Sequence, residues 1–167
     1  HCELTHKTLS LVTQAKLCPV QLWCSPDPQH EFFNECERDY AISLHTQQGN
    51  DLGERMNHAL STALKSSTRV LLIGSDCPSF TTEDFVLAIE SLQKYNDLVI
   101  SPAEDGGYVM IGMTNPHPEL FINMAWSHSN VYKLSRERSH KSELNLTEMK
   151  LQWDVDCFAD FTRYKAL

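Results

Sequence analysis

Three aspartates stand where apolar stretches of the sequence end, and together they could hold a divalent cation. Asp76, Asp105 and Asp156 each follow or border such a stretch. Carboxylates, phosphate oxygens and water are the ligands that Mg²⁺ and Mn²⁺ prefer. A cation held there would offset the charge of a diphosphate leaving group. The alternatives are local, because Asp76 can cap a turn and Asp156 can cap a helix.

A glycine-containing segment at 47–56 opens a predicted helix and is the second group with a chemical use. Arg55 lies in the first turn of that helix, where backbone amides without partners already favour anions. Gly53, in the same turn, costs roughly 1 kcal/mol relative to alanine, which indicates a close approach by another group. The segment can therefore bind phosphate, although Arg55 could equally pair with a surface carboxylate.

The third group is the pair of glycines, Gly106 and Gly107, that follows Asp105. Two adjacent glycines let the backbone come close to a ligand. An Asp-Gly pair is also a common hairpin turn sequence. At this level both uses stay open.

Strands and helices have to position these side chains, and the clearest strand is Val70 to Ile73. Four consecutive branched apolar residues, ended by Gly74 and Pro78, indicate a strand covered on both faces. Further strands are predicted at about 20–24, 41–45, 97–101, 109–112 and 151–155, and helices at about 3–16, 30–38, 51–66, 81–95, 129–141 and 158–165. This alternation predicts an α/β fold with a mainly parallel sheet and helices on both faces. Thr81 with Asp84 resembles a capping box at the start of one helix.

Composition limits the classes of partner. The 167 residues suit one domain, and 14 basic against 22 acidic side chains give a formal net charge of −8. That charge disfavours nucleic acid or an anionic membrane as a partner. There is no apolar run of membrane-spanning length and no secretory signal. Six cysteines without a Cys-x-x-Cys pair disfavour zinc and redox dithiols and predict a cytoplasmic protein with free thiols.

Five motifs occur in order along the chain. They are Gln-x-Gly-x-Asp-Leu-Gly-x-Arg-Met at 47–56, Gly-Ser-Asp-Cys-Pro at 74–78, Pro-Ala-Glu-Asp-Gly-Gly-Tyr at 102–108, Ala-Trp-Ser at 125–127 and Asp-Val-Asp at 154–156. From about residue 20 onward, this ordered set resembles a bacterial family of glycosyltransferase-like proteins with the GT-A fold of nucleotide-diphospho-sugar transferases. The fold is also similar to that of sugar-nucleotide pyrophosphorylases and molybdenum-cofactor nucleotidyltransferases.

The resemblance implies roles for the acidic residues and the glycine pair. Asp76 and Asp156 match positions that bind Mg²⁺ or Mn²⁺. Asp105, Gly106 and Gly107 match the acceptor side, with Asp105 as the candidate general base. For that role the Asp105 carboxylate has to reach the acceptor hydroxyl.

The resemblance also implies a nucleotide site. Gly49, Gly53 and Arg55 match the segment that holds the nucleotide or its phosphates. Trp126 could stack on a sugar or a base, although a lone tryptophan is as often part of the core.

The chain departs from the family pattern at its start. The family opens with a strand and a basic loop of the Phe-Ala-Lys-x-Pro-x-x-Gly-x-x-Lys-Thr-Arg-Leu kind, and neither is present. That strand lies in the middle of a GT-A sheet, between the strands predicted at 20–24 and 69–74. We therefore expect 1–167 to be a single, N-terminally truncated domain. Those two strands would then pair directly, or another chain would fill the gap.

These observations lead to three functional hypotheses. The favoured one is a metal-dependent transferase that moves a glycosyl group from a nucleotide-diphospho-sugar to a hydroxyl of a small-molecule acceptor. The second is nucleotidyl transfer at the same metal site, with release of pyrophosphate. The third is a non-catalytic remnant or binding protein, because the loop that grips the nucleotide is absent. An oligomer is compatible with each of them.

Overall fold

The structure, a computed structural model, describes residues 1–94, 96–126 and 128–166, so Tyr95 at the predicted end of one helix and Ser127 of the Ala-Trp-Ser motif lie outside the described residues. The helices are α1 (Cys2–Ala15), α2 (Glu31–Tyr40), α3 (Leu52–Ala63), α4 (Thr82–Gln93), α5 (Val131–Lys141) and α6 (Phe158–Lys165). The strands are β1 (Gln21–Cys24), β2 (Ser43–Thr46), β3 (Val70–Ile73), β4 (Leu98–Pro102), β5 (Tyr108–Met113) and β6 (Leu146–Glu148). A short 3₁₀ turn covers Pro118–Leu120.

The strands form two sheets in the described part of the chain. β1 pairs with β2 in parallel, and the larger sheet has the order β3-β5-β4-β6. β5 runs antiparallel to both of its neighbours, while β4 and β6 are parallel. β3, β4 and β6 therefore all point the same way, and β5 alone is reversed. The predicted α/β fold with helices on both sides is confirmed, and the reversed β5 makes Asp105 to Gly107 the turn of a hairpin.

Local side-chain chemistry sets where the helices begin. The N–H and hydroxyl of Thr81 each donate a 2.8 Å hydrogen bond to Asp84, which confirms the predicted capping box. At α6 the Asp160 carboxylate accepts a 2.9 Å bond from the N–H of Cys157, which is the N-cap residue. The alternative that Asp156 caps this helix is therefore wrong, and its carboxylate is available for another use.

Two apolar clusters lie on opposite sides of the larger sheet. One contains Phe85 and Ala88 of α4, and the other contains Leu60 of α3. Alternate residues of β3 serve the two clusters: Leu71 and Ile73 pack against the first, and Val70 and Leu72 against the second. This alternation follows from the pleat of a strand, since successive side chains point to opposite faces.

The final strand lies earlier than the sequence pattern predicts. The ladder with β4 is made by Leu146–Glu148, whereas the predicted strand at 151–155 contributes a single bridge, from Gln152 to Ala103. Two apolar residues of that segment, Trp153 and Val155, are buried by packing on α1 rather than by pairing along their length, whereas Leu151 is exposed. Burial without a ladder produces the same sequence pattern as a strand.

β3 is also less covered than its sequence predicts. All four of its residues are only half-buried, because β3 pairs with β5 on one side and with no other strand among the described residues. β1 likewise pairs only with β2 in that part of the chain. Direct pairing of β1 with β3, one of the two arrangements expected for a truncated domain, is therefore wrong.

Two expectations from composition can be compared with the structure. The six cysteine thiols are free, three of them buried and three exposed. No helix in the described ranges has both the length and the apolar character needed to cross a membrane.

Candidate functional site

Three segments that are distant in sequence meet beyond the end of β3. The loop after β3 carries Asp76, whose carbonyl oxygen accepts a 3.1 Å hydrogen bond from the N–H of Val155. The β4–β5 turn joins the same segment, because the N–H of Glu104 donates a 3.1 Å bond to the carbonyl of Gln152. These backbone bonds fix the loop, the turn and the 152–156 segment side by side.

A cluster of three carboxylates, formed by Asp105, Asp154 and Asp156, lies at this junction. Each offers an oxygen, and these oxygens lie within 4.8 Å of one another. Asp154 is half-buried, and the other two residues are exposed. Trp153 and Val155 are buried, so the alternation of an extended segment turns both aspartates of the Asp-Val-Asp motif to the opposite side.

Asp154 is the site residue that the sequence interpretation missed. Within the motif Asp154-Val155-Asp156, the family resemblance implies a role for the second aspartate alone. The period-2 alternation of acidic and apolar residues from Trp153 onward was the signal that could have identified both.

Asp76 borders the cluster without being one of its three members. It lines the same cavity as Asp154 and Asp156, and its charge contributes to the raised pKa of both. The two predicted metal ligands, Asp76 and Asp156, are thus brought close to each other. Their role in binding a metal stays a prediction.

The cluster concentrates negative charge. Burial, followed in effect by the charges of Asp156 and Asp105, raises the pKa of Asp154 from its ordinary value of 3.8 to about 6. Burial also raises the pKa of Asp156, followed in effect by the charges of Asp76 and Asp105. None of the salt bridges among the described residues involves one of these aspartates, so their carboxylates have no basic partner there.

A nearby basic residue is used elsewhere. Arg163 of α6 forms two hydrogen bonds, of 2.8 and 3.2 Å, to the carboxylate of Glu104 in the β4–β5 turn. Its guanidinium also lies over the ring of Trp153, 4.1 Å from the centroid. It therefore fastens α6 to the turn.

A hard divalent cation fits the chemistry of this donor set. All three donors are carboxylates, and ligands on opposite sides of a Mg²⁺, Mn²⁺ or Ca²⁺ ion lie about 4 to 5 Å apart. The 4.8 Å limit on the oxygen separations falls in that range. A cation would also remove the mutual repulsion that raises the pKa of Asp154 and Asp156.

The three carboxylates of the cluster belong to the lining of a cavity of about 710 Å³. Its lining includes apolar side chains of α1, α3, β1 and β3 as well as Asp76, Asp105, Asp154 and Asp156. A largely apolar cleft with a few convergent polar groups is the usual form of a small-molecule site. The volume is within the range of such sites.

The glycine-containing segment before α3 is folded on itself. The Nε of Arg55 donates a 3.1 Å hydrogen bond to the carbonyl of Gly49, and Arg55 forms no salt bridge with a described carboxylate. The described residues therefore show no surface ion pair of Arg55, which was the alternative to phosphate binding. The close approach expected at Gly53 exists, since a Cβ there would lie 2.5 Å from the indole of Trp126.

The Asp-Gly-Gly turn is held by packing as well as by hydrogen bonds. The N–H of Gly107 donates a 2.8 Å bond to the Asp105 carboxylate. Gly106 has a φ of +91°, and a Cβ on it would lie 2.0 Å from the carbonyl oxygen of Ser129. Only glycine fits this position without a backbone shift, so the turn and the orientation of Asp105 depend on it.

Trp126 lines the cavity and packs against neighbouring residues. Its indole packs against Gly53, stacks with Phe121 at 6.2 Å and meets the edge of Tyr108 at 6.3 Å. The indole Nε1 is buried and has no hydrogen-bond partner among the described residues. These contacts agree with the alternative that this tryptophan is part of the core. Stacking on a substrate stays a prediction.

Comparison with protein families gives one match. A family described as "Uncharacterized protein conserved in bacteria (DUF2064)" matches residues 8–128. No curated protein matches the sequence.

Solved structures add relatives of the same fold. A protein of Desulfovibrio desulfuricans, provisionally assigned as a nucleotide-diphospho-sugar transferase, is 30% identical with a TM-score of 0.81, over 92% of this chain and 68% of its own. A cytidylyltransferase of Leptospira borgpetersenii is 13% identical with a TM-score of 0.69, over 98% and 74% of the two chains. A 4-diphosphocytidyl-2C-methyl-D-erythritol synthase of Anaerococcus prevotii is 13% identical with a TM-score of 0.67, over 98% and 87%. At 13% identity, the last two are similar in fold alone.

Proposed function

The chain belongs to this bacterial family, and from that premise we propose that it is a metal-dependent transferase that acts on a nucleotide-linked substrate. The observation that carries the proposal is the meeting of Asp105, Asp154 and Asp156 in the lining of the 710 Å³ cavity. Clustered carboxylates that lack basic partners suit a substrate whose diphosphate arrives together with a divalent cation.

Asp154 and Asp156 would hold the cation, with Asp76 beside them as a further ligand. All three line the cavity, and Asp154 and Asp156 belong to the close set of oxygens. When bound, Mg²⁺ or Mn²⁺ would supply positive charge that offsets the charge developing on a diphosphate leaving group. The residues of the chain do the remaining work of binding and orientation.

Arg55 would bind a phosphate of the substrate. It stands in the first turn of α3, whose N-cap residue Asp51 accepts the N–H of Glu54. The other backbone N–H groups of such a turn favour an anion. The hydrogen bond of Arg55 to the carbonyl of Gly49 uses Nε, which leaves the two terminal nitrogens for other acceptors. Gly49 and Gly53 would then contribute by setting the shape of this turn.

Asp105 would act as the general base that takes the proton of an acceptor hydroxyl. One of its oxygens is fixed by the N–H of Gly107 at 2.8 Å. Asp105 is exposed, so an acceptor can approach its carboxylate from solvent. The Asp-Gly-Gly turn would hold this carboxylate at hydrogen-bonding distance from the acceptor, as general base catalysis requires.

Glycosyl transfer from a nucleotide-diphospho-sugar is the reaction we favour. The 30% identical relative that covers 92% of this chain is provisionally assigned as a nucleotide-diphospho-sugar transferase. The same set of aspartates could also serve attack at an α-phosphate with release of pyrophosphate. The fold shared with two cytidyl-handling proteins gives this second reaction its support.

Product analysis separates the two reactions. The protein with Mn²⁺ is incubated with nucleotide-diphospho-sugars labelled in the sugar, and in parallel with nucleoside triphosphates. Released or transferred sugar supports glycosyl transfer, whereas released pyrophosphate supports nucleotidyl transfer. Calorimetric titration with nucleoside di- and triphosphates plus Mn²⁺ covers the remaining case. Absence of binding to every nucleotide would favour a non-catalytic binding protein and contradict the proposal.

A further inference from the structure

A segment between β5 and α5 connects two parts of the site that are remote in sequence. We call its described residues, 119–126 and 128–130, the bridging segment. It starts within the 3₁₀ turn and ends where α5 begins. Trp126 near its middle and Ser129 near its end each pack on a glycine of another segment. Those two glycines belong to the two motif turns that flank the site.

Both contacts require glycine on the opposite side. A Cβ on Gly53, in the first turn of α3, would lie 2.5 Å from the indole of Trp126. A Cβ on Gly106, in the β4–β5 turn, would overlap the carbonyl oxygen of Ser129. Neither position has room for a further carbon atom, since carbon contacts lie at about 3.5 to 4 Å. The bridging segment therefore fits closely against the first turn of α3 and against the β4–β5 turn.

A backbone hydrogen bond adds to the second contact. The N–H of Tyr132, in the first turn of α5, donates a 2.9 Å bond to the carbonyl of Gly106. In the same turn the N–H of Gly107 donates a 2.8 Å bond to the Asp105 carboxylate. The orientation of this carboxylate therefore depends on a turn that the bridging segment and α5 hold from one side.

One arginine fixes the bridging segment near its start. The guanidinium of Arg138, in the last turn of α5, donates hydrogen bonds of 2.6 to 3.3 Å to four backbone carbonyls. These carbonyls belong to Glu119, Leu120, Ile122 and Asn123. None of the four accepts a backbone hydrogen bond in the described part of the chain. Because backbone carbonyls need partners, the conformation of this turn depends on Arg138.

A second arginine of the same helix is used differently. Arg136 forms a 2.9 Å ion pair with Glu148 of β6 on the surface. Arg138 takes part in none of the salt bridges among the described residues. Its donors serve the backbone of the bridging segment instead, so the two arginines form a natural pair for comparison.

We propose that Arg138 is a positioning residue of the site, which acts through the bridging segment to hold Asp105 and the first turn of α3 at a fixed separation. This inference rests on the proposed function, in which the α3 turn binds a donor phosphate and Asp105 receives the proton of the acceptor. Donor and acceptor react only when they are aligned, and a displacement of about 1 Å can lower a rate by about 10²-fold. A residue that fixes the distance between their two binding turns therefore controls the rate without contacting either substrate.

Amide hydrogen exchange on Arg138→Ala tests the positioning without reference to catalysis. We expect exchange at the N–H of Tyr132 to accelerate at least about tenfold more than exchange at Ile100, which is buried in the inner strand β4. The indole N–H resonance of Trp126 should shift in the same variant. Arg136→Ala is the matched control and should change both exchange rates by less than about twofold, since a surface ion pair contributes little to stability.

Steady-state kinetics on the active nucleotide sugar test the effect on the reaction. Arg138→Ala should lower kcat at least about tenfold while Mn²⁺ affinity stays within about threefold, because alignment is lost and the metal ligands are kept. Millimolar guanidinium chloride should restore part of the rate, whereas ammonium chloride at the same ionic strength should not. Arg138→Lys should give an intermediate rate, since an ammonium group has fewer donors than a guanidinium.

Two results would overturn the inference. Equal acceleration of exchange at Tyr132 and Ile100 in Arg138→Ala would give the arginine a purely stabilising role. An unchanged kcat in a variant whose Tyr132 amide exchanges faster would mean that the bridging segment does not affect the reaction. Should Arg138→Ala not fold, Arg138→Lys takes its place and the same ratio of exchange rates decides. Absence of transferase activity in the unaltered chain would contradict the proposed function, whereas the exchange rates show separately whether Arg138 holds the two turns.

Discussion

The N–H of Val155 donates a 3.1 Å hydrogen bond to the carbonyl oxygen of Asp76. This bond joins the loop after β3 to the Asp-Val-Asp segment near the end of the chain. It brings Asp76 beside Asp154 and Asp156, whose carboxylates converge with that of Asp105. The electrostatic character of the site therefore depends on a contact between two backbones that are remote in sequence.

The aspartates proposed as metal ligands can be tested by amide substitution. We expect Asp154→Asn and Asp156→Asn each to lower Mn²⁺ affinity by more than the roughly 10- to 100-fold that loss of an outer-shell partner costs. Asp76→Asn should abolish metal-dependent nucleotide binding with little loss of fold. Calorimetry measures both affinities, and Asp39→Asn on α2, outside the cavity, is the matched control. Unchanged Mn²⁺ affinity in the Asp154 and Asp156 variants would exclude them as ligands.

Substitution of Asp105 should lower the rate of catalysis rather than the affinity for Mn²⁺, unlike substitution of the proposed metal ligands. If it is the general base, Asp105→Asn leaves Mn²⁺ affinity within about threefold and lowers kcat by roughly 10²- to 10⁴-fold. Steady-state kinetics on the active nucleotide sugar, beside a Mn²⁺ titration, measure the two effects. A loss of Mn²⁺ binding as large as that of Asp156→Asn would instead assign Asp105 to the cation.

Arg55 is expected to act on phosphate rather than on folding. Arg55→Ala should weaken binding of a nucleoside diphosphate by about tenfold, because hydrogen bonds to charged groups contribute about 1.5 kcal/mol or more. Arg55→Lys keeps the charge but not the fork of donors, so its affinity should be intermediate. Urea unfolding of the same variants is the necessary companion measurement. A loss of stability in Arg55→Ala with unchanged nucleotide binding would give the residue a purely structural role.

Asp154 should make the metal-free protein less stable as pH rises. Its pKa is about 6 in the folded protein against an ordinary value of 3.8. Between about pH 4 and 6 the folded state therefore holds more protons than the unfolded state, and stability falls as pH rises through this window. Above pH 6 the cost is complete, at about 1 kcal/mol after allowance for solvent screening of a half-exposed group.

Asp154→Asn should remove this dependence. In the presence of a chelator, the variant is expected to be more stable than the parent above pH 6 and equal to it near pH 4. Urea unfolding at several pH values gives both curves. Parallel curves for the two proteins would contradict the raised pKa of Asp154.

The Asp-Gly-Gly turn offers a matched pair of substitutions. Gly106→Ala places a Cβ 2.0 Å from the carbonyl oxygen of Ser129 at a φ of +91°. We expect a loss of about 2 to 4 kcal/mol, since strain and overpacking each cost 1 to 3 kcal/mol. In Gly107→Ala the nearest atom to the new Cβ is a carboxylate oxygen of Asp105, at 3.2 Å, and the change should cost less than about 1 kcal/mol. Equal losses in thermal or urea unfolding would show that the Ser129 contact does not set the turn.

Local information in the sequence predicted most of the elements. The apolar periodicity of 3–16 corresponds to α1, and Thr81 with Asp84 caps α4 as predicted. Such features depend on residues within one or two turns of each other, so the sequence contains nearly all the physics that decides them. The ordered motifs likewise gave the family resemblance and most of the acidic residues that meet in the structure.

Tertiary structure decided which side chains come together and which edges stay open. The convergence of Asp105, Asp154 and Asp156 requires a reversed β5 and the bond between Val155 and Asp76. The four apolar residues of β3 led us to predict a strand that is covered on both faces. Whether another strand pairs with its second edge depends on residues elsewhere in the sheet. Pairing between distant segments is settled by the free energy of the whole packed arrangement, and a short stretch of sequence contains only its own share of that energy.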